Sequence, residues 1–231
     1  MGEAGDKDLR EAVERMRTRL AALGCPVAAE SADPLARYAA MLLEWNRLVN
    51  LVSRKDEHAV VEKHMFHSLV VRALVDFPCD AGVFDLGTGG GLPGLPLAVV
   101  MPRAYFVLCD ASAKKIRAVQ AMADALGLGN VRCLAMRAED AGRDPLHAGR
   151  YDIVLARAAA HLEKLIRWSR PLLRAEGGRL IAWKGGDLAA EMRRALMRNR
   201  KLSFEVAEYD LPPGEASLGD GKKIVEIRFD A

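Results

Sequence analysis

Apolar residues recur at intervals of three and four along the first third of the chain, then fall into short unbroken runs. Leu35, Tyr38, Leu42, Trp45 and Val49 form one helical stripe, and Asp33-Pro34 stands at its start, an acid to cap free N–H groups followed by a proline suited to the first helical position. Further helices are predicted over about residues 8–23 and 57–75, ending at the break Phe77-Pro78-Cys79-Asp80-Ala81-Gly82. From Val83 the pattern changes to apolar runs alternating with amphipathic segments, which predicts βαβ units and a parallel sheet. The predicted strands are 83–86, 105–109, 131–135, 152–156, 179–183, 204–209 and 223–229. No helical segment separates the last two, so they predict a terminal hairpin. The expected organisation is α/β: a helical extension over residues 1–80 packed on a core over residues 81–231.

Composition narrows the class. The 231 residues are 51% hydrophobic and 28% charged, with a formal net charge of +3, values of a folded domain and not of a disordered tail. The longest stretch without charge, Leu86 to Pro102, holds 17 residues including five Gly and three Pro, which predicts no membrane span. The polar start Met1-Gly2-Glu3-Ala4-Gly5-Asp6 lacks the apolar core of a secretory signal, and a cytoplasmic protein is expected. Cys25, Cys79, Cys109 and Cys133 form no Cys-x-x-Cys pair, so no metal site is expected. Residues 161–201 carry eleven Lys and Arg against four acids, read either as two solvated helix faces or as a surface that meets phosphates.

The most informative run is Phe84-Asp85-Leu86-Gly87-Thr88-Gly89-Gly90-Gly91-Leu92-Pro93-Gly94, a strand entering a glycine loop and then a helix. Glycines let the backbone turn off the strand end and approach a ligand closely. Asp110 ends the next strand, where an acid accepts hydrogen bonds from a ribose diol. The loop also satisfies the dinucleotide fingerprint, so an NAD enzyme competes. Pro93 removes an N–H where a pyrophosphate wants donors, and Asp85 places an acid near where the phosphates would lie. Both features suit S-adenosyl-L-methionine, which has no phosphate and carries a cationic amine and sulfonium. The expected loop contacts are Asp85, Gly87, Gly89, Gly91 and Leu92, with Asp110.

The sequence resembles the bacterial small-subunit ribosomal RNA guanine-N7 methyltransferase family, also called glucose-inhibited division protein B. The motifs are Trp45-Asn46-x-x-x-Asn50-Leu51-x-Ser53, Lys63-His64-x-x-His67-Ser68, the loop extended by Gly91-Leu92-Pro93-Gly94, Arg137-Ala138-Glu139, Ala156-Arg157-Ala158 and Lys184-Gly185. The resemblance implies a class I S-adenosylmethionine-dependent methyltransferase, a Rossmann-like fold with a seven-stranded sheet. It places cofactor contacts on Gly87, Leu92, Ala138, Glu139 and Arg157, Glu139 suiting the adenine amine. The sequence departs from the family where His67 stands for Asp, Ala156 for Ser, and Lys222-Lys223 for a basic residue followed by His.

Absent motifs narrow the methylated atom. Amino methylation uses an Asn or Asp before Pro-Pro after the fourth strand, whereas Ala156-Arg157-Ala158-Ala159 stands there; pyrimidine C5 methylation needs a late cysteine, and none follows Cys133. Guanine N7 carries a lone pair in the neutral base and needs no general base, so no catalytic acid or base is expected and positioning carries the reaction. Arg137, Arg157, Lys184, Lys222 and Lys223 are the expected RNA contacts. His64 and His67 read as packed residues, Ser68 and Asn50 as ties to the loop, and Trp45, Trp168 and Trp183 as core. The expected partner is small-subunit ribosomal RNA or the assembled small subunit, met by a monomer. Another RNA or a small molecule as methyl acceptor, and a non-catalytic RNA-binding module, remain alternatives.

Overall fold

The computed structural model describes residues 3–157, 160–199, 201–209 and 221–229. Helix α1 (Glu3–Ala22) packs against α2 (Ala32–Asn46), and Leu35, Tyr38 and Leu42 of the predicted stripe are buried. Helix α2 begins one residue before Asp33, whose side chain pairs with Arg10 at 2.7 Å in place of the expected cap. The single helix predicted over 57–75 is not formed. Its place is taken by 3-10 turns over Arg54–Ala59, π turns over Val60–Met65 and two short helices, α3 (Phe66–Leu69) and α4 (Val71–Leu74). Val60, Val61, Met65, Leu69, Val70 and Val71 are all buried here, so packing against the sheet overrides the regular period.

The seven strands are β1 (Gly82–Leu86), β2 (Tyr105–Asp110), β3 (Val131–Ala135), β4 (Ile153–Arg157), β5 (Arg179–Gly185), β6 (Leu202–Glu208) and β7 (Lys222–Phe229). They form one sheet in the order β3-β2-β1-β4-β5-β7-β6, with β7 antiparallel to both neighbours and the rest parallel. Helices α5 (Gly94–Val100), α6 (Ala113–Ala125), α7 (Ala138–Ala141), α8 (Leu162–Ser169) and α9 (Ala189–Arg198) complete the order.

Strand alternation splits the core in two. Val83, Phe106, Leu108, Ile153 and Ile181 face α5, α6 and the N-terminal helices; Phe84, Leu86, Val107, Val154 and Leu180 face α8 and α9. The N-terminal helices therefore close one face of the sheet, sharing its hydrophobic core. Because β1 pairs with β2 on one side and β4 on the other, the connections diverge at its carboxyl end, where ligands bind in such sheets. Among the described residues no helix is long and apolar enough to cross a membrane.

Candidate active site

The loop after β1 is fastened from below and from the side. Alternation turns Asp85 towards α5, where its Oδ2 accepts from the Thr88 hydroxyl at 2.6 Å and from the Gly94 amide at 3.0 Å. Burial pushes its carboxyl up to about 7, against the pull of those two bonds and of Arg157. The buried Tyr38 hydroxyl donates to Gly90 O at 3.0 Å, and Asn46 Oδ1 accepts from the amides of Leu51 and Val52, laying residues 51–53 along the loop. The amides of Gly87 and Thr88 donate to Cys109 O, those of Gly91 and Leu92 to Thr88 O, and that of Gly89 to Asp110 Oδ2. Gly87, Gly89 and Gly91 take φ of 77, 58 and 91°, the left-handed region that favours glycine.

Above this loop lies a cavity of about 580 Å3. Gly87, Gly89, Leu92, Asp110, Arg137, Ala138, Glu139 and Arg157 line it. Asp85 and Gly91 do not: the expected contact of Asp85 with a cationic ligand is corrected to a staple under the loop, and Gly91 to a buried turn facing Leu95. Asp110 accepts from Gly89 N and Ser112 N, one bond per oxygen, and a carboxylate with about four lone-pair sites keeps room for a diol.

A second cavity, of about 500 Å3, shares Asp56, His64 and Arg157 with the first and adds Lys63, Trp183, Lys184 and Lys222. Arg157 is largely buried; Nη1 donates to His64 O at 2.8 Å and Ser68 Oγ at 3.0 Å, and Nη2 to His64 Nδ1 at 2.6 Å. Its guanidinium therefore ties the helical region to the sheet. Lys184 pairs with Glu191 at 2.9 Å and donates to Ala160 O at 3.1 Å. Burial opposes ionisation of Glu191, but Lys184, His161 and the Leu162 amide hold its carboxyl at about 2. Lys222 and Lys223, both expected to contact RNA, face different surroundings. Neighbouring strand residues face opposite ways, and Lys223 pairs with Glu208 at 2.8 Å and lines a groove beside Leu196 and Met197.

Several residues enter the site that were given other roles or none. Leu51, Val52, Ser53, Lys115, Met136 and Trp168 also line the first cavity, Trp168 while packing against the core as the sequence predicts. The tie to the loop expected of Asn50, which is exposed, is made by the Tyr38 hydroxyl on Gly90 O. Trp183 is core, its Nε1 donating to His67 O at 2.6 Å, while His67 is buried and bonded to the Tyr209 hydroxyl. Cys109 reaches the first cavity, where burial and Asp110 push its thiol up to about 12. Ala158, Ala159 and Arg200 lie outside the described residues.

A mostly parallel sheet with an antiparallel final strand, and a cavity over the β1 loop, define the fold of class I methyltransferases. Aeropyrum pernix fibrillarin, solved with natively bound S-adenosyl-L-methionine, shares it at a TM-score of 0.54 and 14% identity, over 70% of this chain and 73% of that one. A predicted O-methyltransferase of Agrobacterium tumefaciens shares it at 0.52 and 19%, over 68% and 76%. The chain belongs to the family described as rRNA small subunit methyltransferase G, whose model matches residues 31–212. The protein of that name from Chlorobaculum tepidum is 45% identical over 89% of this chain and 93% of its own length, and that from Porphyromonas gingivalis is 38% identical over 79% and 80%.

Proposed function

We propose that this protein transfers a methyl group from S-adenosyl-L-methionine to N7 of a guanosine in small-subunit ribosomal RNA. The observation that carries the cofactor reading is the state of the loop amides. Gly87, Thr88, Gly89, Gly91, Leu92 and Gly94 all donate to protein acceptors, so these amides are not left to cradle a pyrophosphate, and the NAD reading loses its physical basis. A cofactor without phosphate, held through a ribose diol by Asp110 and at its base by Ala138 and Glu139, fits the same cavity. Arg157 orders the wall of this cavity next to the loop, with Gly87, Gly89 and Leu92 beneath the ligand.

When bound, the cofactor supplies an electrophilic methyl on a sulfonium. The protein's part is positioning, worth up to about 7–11 kcal/mol when two reactants are held in line. The second cavity is the acceptor chamber in this reading, because it adjoins the first, Asp56, His64 and Arg157 lining both. Lys222 and Arg137 meet phosphate, and Lys184 holds the chamber wall through Glu191. Membership of the family supports ribosomal RNA as substrate, and the surplus of basic residues over 161–201 suits a phosphate backbone.

The test is transfer of labelled methyl to small ribosomal subunits, naked ribosomal RNA and DNA, followed by nucleoside analysis. Label in 7-methylguanosine of the RNA is expected. Label in another nucleoside overturns the N7 assignment, and no label despite measured cofactor binding points to a small-molecule acceptor.

A further inference from the structure

Asp56, His64 and Arg157 form the rim between the two cavities, and Arg157 decides where one proton sits on that rim. A guanidinium has donors only. Its 2.6 Å contact with His64 Nδ1 therefore requires the lone pair of the imidazole on Nδ1 and the hydrogen on Nε2. The guanidinium is fixed by two further bonds, to His64 O and Ser68 Oγ. Burial and the adjoining Arg157 charge, against the pull of Asp56, hold the imidazole down to about 4, so the ring is neutral at pH 7.

His64 Nε2 is buried and has no hydrogen-bond partner. Asp56 Oδ2 stands 3.8 Å away, beyond hydrogen-bond reach, and Asp56 Oδ1 is held by Lys63. A buried N–H left without an acceptor is costly, because its desolvation is not repaid. The ring is thus a neutral donor of fixed tautomer, on the boundary that a transferred methyl crosses, waiting for an acceptor.

We infer that His64 reads the target base, its Nε2–H donating to guanine O6 and thereby setting the adjacent N7 towards the cofactor cavity. This inference rests on the guanine-N7 reading above. O6 and N7 share one edge of guanine, so a donor bound at the first fixes the second; adenine presents an amine there, and donor would meet donor. The incoming O6 enters between Nε2 and the Asp56–Lys63 pair, which shifts to admit it. No proton is transferred, and His64 acts as a specificity contact.

The test replaces the target guanosine of a small-subunit RNA substrate with 2-aminopurine ribonucleoside, which lacks O6 and keeps N7, or with inosine, which keeps both. Methylation at the replaced position is followed by mass spectrometry, and cofactor binding by titration with S-adenosylhomocysteine. For the wild-type protein, loss of O6 is expected to lower kcat/KM by about tenfold or more, with inosine little affected. In His64→Phe, guanosine turnover falls by a similar factor and removing O6 costs nothing further, the titration with S-adenosylhomocysteine separating any loss of cofactor binding from this effect. An equal loss on removing O6 in wild type and variant marks a merely structural histidine and overturns the inference. Should His64→Phe not fold, the wild-type comparison decides alone: 2-aminopurine methylated as fast as guanosine overturns it. If the guanosine substrate gives no 7-methylguanosine, the underlying reading has failed instead.

Discussion

The Asp85 carboxylate and the Gly94 amide, nine residues apart in sequence, meet at 3.0 Å and close the glycine loop on itself. The bond ties the end of β1 to the first residue of α5. It also engages the helix-start donor that a phosphate would otherwise use.

This closure leaves no room at Gly94. A Cβ there would stand 2.1 Å from Leu108 Cδ2 and 2.8 Å from Asp85 Oδ2. Gly94→Ala is expected to lower stability by about 1–3 kcal/mol, the range for overpacking a close-packed site. Chemical denaturation measures it; an unchanged midpoint would show that the loop yields freely.

Asp85 gives a pH dependence with a definite sign. Its folded pKa, about 7, lies above the ordinary carboxylate value, so the folded state holds this proton more tightly than the unfolded chain. The carboxyl therefore favours folding most at acidic pH, and that contribution declines as pH rises from about 4 to about 7. Asp85→Asn keeps an acceptor for Thr88 and Gly94 and cannot ionise. The stability gap between variant and wild type should move in favour of the variant across this interval and level off above it. Parallel melting curves at all pH values would contradict the assignment.

Asp110 both holds the loop, through Gly89 N, and is proposed to hold the ribose diol. Asp110→Asn should weaken S-adenosylhomocysteine binding by about ten- to a hundredfold, as expected for lost hydrogen bonds to a charged acceptor. Isothermal titration would read this directly, and an unchanged Kd would remove Asp110 from the cofactor site.

Lys222 and Lys223 separate by the side of the sheet they face. Lys222→Ala is expected to reduce the slope of log binding constant against log salt by about 0.7–0.9, the value of one phosphate contact. Lys223→Ala, whose ammonium already pairs with Glu208, should leave the slope unchanged. Salt titrations of RNA binding for the two variants compare them; equal slopes would show that the sheet face does not decide the contact.

Local pattern made much of the fold readable. The predicted strand over 131–135 matches β3, and the other six lie within about two residues of the observed bounds, because alternation, apolar runs and glycine breaks act between near neighbours. The glycine loop and Asp110 were readable for the same reason: each stands at the end of its own strand, and adjacent parallel strands bring those ends together. The third helix was not readable. Its period is helical, but the chain there bends through 3-10 and π turns to bury residues from both halves of the segment.

The sequence alone thus determined the order of the strands, the parallel sheet and the glycine loop, all set by short-range periodicity and backbone chemistry. Tertiary structure decided what Asp85, Arg157 and the lysines do, because strand parity and packing choose the direction of each side chain. Asp85 was turned under the loop, Lys223 away from Lys222, and Arg157 onto a histidine 93 residues earlier. No local pattern carries that last relationship; it exists only once β4 and the N-terminal segment pack together, and with it the fixed proton on His64.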